Sequence, residues 1–82
     1  MRVRFLTAAG RIMLALSEGE GGLTFGEIVD KTGLSTVTVS LNLQKLVAEG
    51  LVRKEGRFYV LTPTGRRAVE ELRALVAPEA RG

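Results

Sequence analysis

The sequence contains no cysteine, no histidine and no tryptophan, and its aromatic content is three phenylalanines and one tyrosine. Without cysteine there is neither a disulfide nor a thiolate metal site. Without histidine the commonest metal ligand and the usual neutral-pH general base are both missing. Carboxylates remain, but Glu18, Glu20, Glu27, Asp30, Glu49, Glu55, Glu70, Glu71 and Glu79 fall on helix surfaces and loops, where solubility and capping account for them. The chain is therefore expected to be no enzyme and to carry no cofactor and no metal. No apolar run approaches the roughly 20 residues of a membrane span, and the opening "MRVRF" leads into an interrupted pattern rather than a signal-peptide core. A cytoplasmic protein without a membrane partner is expected.

Hydrophobic residues make up 45% of the chain and charged residues 26%, the balance of a globular protein rather than a disordered one. Its 82 residues suit one small domain, here residues 1–77 with a flexible tail at 78–82. Such a domain buries only about 60% of the surface of its unfolded chain, so every apolar face has to be used. The net charge of +3 is unevenly placed: Arg53, Lys54, Arg57, Arg66 and Arg67 face Glu55 alone between residues 51 and 67. A basic cluster of this kind points to a polyanionic partner.

Phe5, Leu6, Ala9, Ile12, Met13 and Leu16 recur at three- and four-residue intervals, predicting an amphipathic helix over 3–17 that "SEGEGG" then breaks. In "LTFGEIVDKTG", Thr24 and Glu27 form a capping box for a helix over 24–32, and Gly33 can close it in the left-handed conformation. The next stretch, "STVTVSLNLQKL", is ambiguous. Val37, Val39, Leu41 and Leu43 alternate with polar residues as in a half-buried strand, yet a helix over 35–49, capped by Ser35 and stopped at Gly50, explains the whole segment. The helix puts Val39, Leu43, Leu46 and Val47 on one packed face and turns Val37, Leu41 and Ala48 outward. "LVRKEGRFYVLT" reads as a hairpin over 51–61 turning at Glu55-Gly56, with Arg53, Lys54 and Arg57 crowded at its tip. Thr62 and Pro63 open a last helix over 62–77, whose stripe is Ala68, Val69, Leu72, Leu75 and Val76, and Pro78 is its expected stop.

The segment "LTFGEIVDKTGLSTVTVSLNLQKLVAEGLVRKEGRFYVLTPTGRRAVEEL", residues 23–72, resembles the winged helix-turn-helix domain of small MarR-like and ArsR-like regulators of bacteria and archaea. The combination of "GLS", then Val39, Leu43 and Leu46, then "EGLV", a basic turn and "LTPTG" carries the resemblance. It implies a mainly α fold with a small β-hairpin, and double-stranded DNA as partner. Residues 35–49 are then the recognition helix in the major groove and residues 53–57 a wing on the backbone or in the minor groove. Ser35, Thr36, Val37, Thr38, Leu41, Asn42, Lys45, Arg53, Lys54 and Arg57 become the DNA-binding residues, with Ser40 and Gln44 as flanking contacts. The recognition helix departs from the pattern in carrying no arginine, where such helices often bear one at the place of Leu41. Apolar contact to thymine methyl groups, or DNA shape, is expected to replace bidentate guanine reading.

The resemblance also implies pairing through the terminal helices, giving a homodimer whose interface draws on Phe5, Leu6, Ile12, Met13, Leu72, Leu75 and Val76. Two recognition helices would then stand about 34 Å apart over a near-palindromic site. A monomer that folds these residues into its own core is the competing expectation. For function, the alternative is a winged-helix interaction module of a transcription or replication assembly, docking through Val37, Leu41 and Ala48.

Overall fold

The computed structural model describes the backbone of residues 7–80 and the side chains of residues 7–74. In chain order its elements are α1 (Ala8–Glu18), β1 (Leu23–Thr24), α2 (Phe25–Thr32), α3 (Thr36–Ala48), β2 (Val52–Glu55), β3 (Phe58–Leu61) and α4 (Pro63–Ala80). This is the winged helix-turn-helix arrangement, with α2 and α3 as the helix-turn-helix and the β2–β3 hairpin as the wing.

Caps fix where the helices begin. Thr7 is extended, at φ −73° and ψ 169°, and its Oγ1 accepts the Gly10 N–H at 3.1 Å, so α1 opens at Ala8. Residues 3–6 of the expected helix, Phe5 and Leu6 among them, lie outside the described residues. The capping box of α2 is formed in both directions: Thr24 Oγ1 accepts from Glu27 N–H at 3.2 Å, and the Glu27 carboxylate accepts from Thr24 N–H at 2.9 Å. Gly33 closes that helix with φ 72°.

The ambiguous stretch is helical. Ser35 Oγ accepts the Thr38 N–H at 3.1 Å, and Val39, Leu43 and Leu46 are buried at helical spacing. Val47, expected on the same face, is 43% exposed. It sits about a quarter turn round the helix from the centre of the buried stripe, at the flank rather than on the packed face. The helix ends in a Schellman pattern: Gly50, at φ 77°, donates its N–H to the Val47 carbonyl and Leu51 donates to the Leu46 carbonyl, each at 3.0 Å. That closure turns the chain directly into the wing.

The sheet is antiparallel with strand order β1-β3-β2. Strand β1 was not expected; Leu23 pairs with Tyr59 and Thr24 with Phe58. A two-stranded ribbon is marginally stable alone, and β1 supplies the third strand that holds this one against the helices. Glu55 pairs with Phe58, leaving Gly56 and Arg57 as the turn. Gly56 has φ 65° while no non-glycine residue has positive φ, the pattern of a type II′ hairpin turn. Helix α4 begins as expected, with Thr62 Oγ1 accepting the Gly65 N–H at 3.0 Å, but its backbone stays helical through Pro78 to Ala80. So close to the helix end, the proline removes one late hydrogen bond and leaves little helix beyond it to break.

Ile12 of α1, Ile28 of α2, Val39 of α3 and Val52 of β2 are the largest fully buried side chains, so the core lies where all of these elements meet. Ile12 is 0% exposed and Met13 is 4% exposed. Both were expected on a dimer face and are instead packed inside their own chain, because α1 is enclosed by α2, α3, α4 and the sheet.

Candidate nucleic-acid interface

Because Val39, Leu43 and Leu46 point inward, the opposite side of α3 presents Val37, Leu41, Gln44, Lys45 and Ala48 to solvent. Val37 is 66% exposed and Leu41 56%, the two most exposed large apolar side chains among the described residues. Ser35 and Thr36 are exposed at the start of the helix, and Thr38 is half-buried. Ser35 Oγ also donates to Thr38 Oγ1 at 2.9 Å, so these hydroxyls form a small polar edge beside the first-turn N–H groups. Such a terminus favours anions through its free donors and the helix dipole.

Two side chains trade places relative to expectation. Asn42 is half-buried and its Nδ2 donates to the Thr38 carbonyl at 2.8 Å, so its amide is engaged within the helix. Gln44, expected only at the flank, is exposed between Leu41 and Ala48 on the outward face. Projecting residues 36–48 at the helical period places Gln44 opposite Leu46, which is the signal that identifies it.

Strand alternation sorts the wing into two faces. Val52 and Lys54 share one face with Tyr59 and Leu61; Arg53 and Glu55 share the other with Phe58 and Val60. Lys54 therefore looks toward α3. It lines an apolar groove of about 390 Å³ together with Phe25, Ser40, Leu43, Gln44, Val47, Ala48 and Tyr59, and its Nζ stands 5.7 Å from the centre of the Tyr59 ring. Arg57, in the turn, holds its guanidinium 5.8 Å from the Phe58 ring. Arg53 is engaged locally: its Nε donates to Glu55 Oε2 at 2.8 Å, and Nη2 lies 2.6 Å from the same oxygen. Both partners are well exposed, so the pair adds little stability. It does offset one of the three wing cations.

The structure thus brings Val37, Leu41, Gln44, Lys45 and Lys54 to one surface, while Arg57 stands in the wing turn over Phe58, on the other face of the hairpin. Arg66 is not part of it: this residue lines a hollow with Leu16, the Gly19–Gly22 loop, Val60 and Leu61. Arg67 is exposed on α4. Of the residues expected at a dimer face, Leu72 is half-buried, and the side chains of Leu75 and Val76 lie outside the described ones. Arg73 donates to Ser17 Oγ at 3.0 Å, tying α4 to α1. Among the described residues no group of three His, Cys, Asp or Glu side chains is placed to hold a metal ion, and no helix is long and apolar enough to cross a membrane.

The profile of the MarR family matches residues 6–68. A MarR-family transcriptional regulator from Silicibacter pomeroyi is 32% identical, with a TM-score of 0.78 over 94% of this chain. A second regulator of that family from the same organism is 28% identical, with a TM-score of 0.79 over 92%. Bordetella bronchiseptica BpsR, whose DNA binding is regulated by 6-hydroxynicotinic acid, is 26% identical, with a TM-score of 0.80 over 92%. The chain spans only 53–57% of the length of these three proteins. No curated protein matches it at a significant level. With more than half of its residues matched and the fold shared, the chain belongs to the MarR family.

Proposed function

We propose that this protein is a sequence-specific, double-stranded DNA-binding transcriptional regulator that acts in the cytoplasm as a homodimer. One observation carries the reading: the outward side of α3 and Lys54 of the wing border the same groove, so helix and cation are offered to a single partner. A helix fits the major groove, and a basic hairpin beside it reaches the flanking phosphates or the minor groove. Val37 and Leu41 meet base edges, Lys45, Lys54 and Arg57 meet phosphate, and Ser35, Thr36 and Thr38 meet the backbone at the helix start. Asn42 acts indirectly by holding the helix, and Arg53 contributes once its bond to Glu55 opens. The DNA binding of BpsR supports this assignment; its effector is not carried over, since this chain spans 57% of that protein.

The homodimer reading rests on the ends of the chain. Helix α4 continues well past Val69, its last core residue among the described side chains, and Leu72, Leu75 and Val76 recur along it at helical spacing. With Ile12 and Met13 enclosed, Phe5 and Leu6 and the second half of α4 are the remaining apolar contributors. Sedimentation equilibrium tests this: a dimer is expected, and a monomer at all concentrations would contradict it.

Duplex affinity measured against salt tests DNA binding. The logarithm of the association constant should fall steeply with the logarithm of salt, by about 0.9 per phosphate contacted, and Lys54→Ala or Arg57→Ala should each reduce the slope by about one contact. A flat dependence would contradict it. The exposure of Val37 and Leu41 favours a second reading, a protein-docking module. The Lys45→Ala/Lys54→Ala double variant separates the two, since it weakens duplex binding and lowers its salt slope by about two contacts but spares an apolar protein contact.

A further inference from the structure

We propose that α3 selects A·T base pairs, with Val37 and Leu41 packing on thymine methyl groups and Gln44 bonding to adenine. The proposal rests on the DNA-binding reading above and names what the helix reads. Val37, Leu41 and Gln44 follow one another at i, i+4 and i+7, which sets them on one line along about 10 Å of helix. At about 3.4 Å per base step that line spans two or three adjacent pairs.

The chemistry of the line is narrow. Among the major-groove edges only thymine offers a methyl group, and an apolar side chain there gains contact while leaving no polar atom unpaired. A glutamine amide donates to adenine N7 and accepts from its N6 amino group, a match no other base edge offers it in both directions. Arginine, the usual reader of guanine, is absent from residues 36–48. The nearest amide alternative, Asn42, is turned back to the Thr38 carbonyl. Lysines mark the borders of the line, Lys45 on the helix and Lys54 across the groove. An apolar strip framed by cations suits a duplex, with its phosphates outside and methyl groups inside.

The test is selection of bound duplexes from a random pool, followed by replacement of each enriched thymine with deoxyuridine, which removes the methyl group and keeps the base pairing. Enriched sites should hold adjacent A·T pairs, and wild-type protein should lose about fourfold in affinity for each contacted methyl removed. Leu41→Ala should bind the thymine and uracil duplexes equally at that position, and Val37→Ala likewise at its own. Gln44→Ala should relax the preference for adenine next to them. All three side chains are exposed, and thermal melting verifies that each variant is folded. Equal wild-type binding to thymine and uracil duplexes would overturn methyl reading while leaving DNA binding intact. Uracil sensitivity that persists in both alanine variants would overturn the assignment to Val37 and Leu41. Absence of any duplex binding would overturn this proposal together with the function on which it rests.

Discussion

Gly65, in the first turn of α4, stands so close to Leu51 that no Cβ fits between them: a methyl group there would run into the Leu51 carbonyl. Thr62 secures the same junction, its N–H donating to the Leu51 carbonyl at 3.1 Å and its hydroxyl to the Gly50 carbonyl at 2.6 Å. The "LTPTG" motif is thus the clasp that sets the wing against the end of α3. Gly65→Ala should lower unfolding free energy in urea by about 1–3 kcal/mol, the range for overpacking a rigid site. Gly26, in α2, has open space at its Cβ position. Gly26→Ala should stabilise by about 0.5 kcal/mol through helix propensity, so the two substitutions have opposite signs.

Helix order, the caps at Thr24 and Ser35, the stop at Gly50 and the outward strip of Val37 and Leu41 were legible in the sequence, because each rests on local chemistry within one or two turns. Strand β1 was not. Two residues carry no periodicity, and Leu23 and Thr24 already bore the signals of the α2 cap; only their pairing with Tyr59 and Phe58, far away in sequence, makes them a strand. The cap at Thr7 carries no mark in the apolar spacing, which runs on smoothly through residues 3–6, outside the described residues. The fate of Ile12 and Met13 was equally hidden. An amphipathic stripe says that a face is covered, not whether the cover comes from the same chain. The i, i+2 spacing alone puts Arg53 and Glu55 on one face of the expected strand; that the two side chains turn toward each other rather than to a partner is a choice of rotamers, which the spacing does not carry.

Burial of Ile12 in its own core has a measurable consequence. Ile12→Ala should destabilise the protein by about 2–5 kcal/mol, as for other large-to-small changes in a packed core. The loss should appear in urea unfolding and be independent of protein concentration. A variant that kept its stability but dissociated into monomers would instead put Ile12 at a subunit boundary.

Glu55 restrains the wing. Removing its charge frees Arg53 and takes a negative group away from the phosphates, so Glu55→Gln should tighten duplex binding and steepen the salt dependence by about one contact. Fluorescence anisotropy across a salt series reads both quantities. Weaker binding by this variant would mean that the Arg53–Glu55 pair shapes the wing for DNA rather than holding it back.

The roles proposed for Asn42 and Gln44 are testable in the same assay. Asn42→Ala should cost about 1 kcal/mol of stability from the lost bond to the Thr38 carbonyl, with little change in which sequences are bound. Gln44→Ala should leave stability unchanged, because its side chain is exposed, and alter sequence preference.

The most direct measurement is amide chemical-shift mapping of the full chain on titration with duplex DNA. A shared surface on α3 and the wing predicts that Ser35–Lys45 and Arg53–Arg57 shift together, at one common affinity, while the amides around Arg66 and the Gly19–Gly22 loop stay in place. Shifts confined to that hollow, or none at all with duplex in excess, would contradict it.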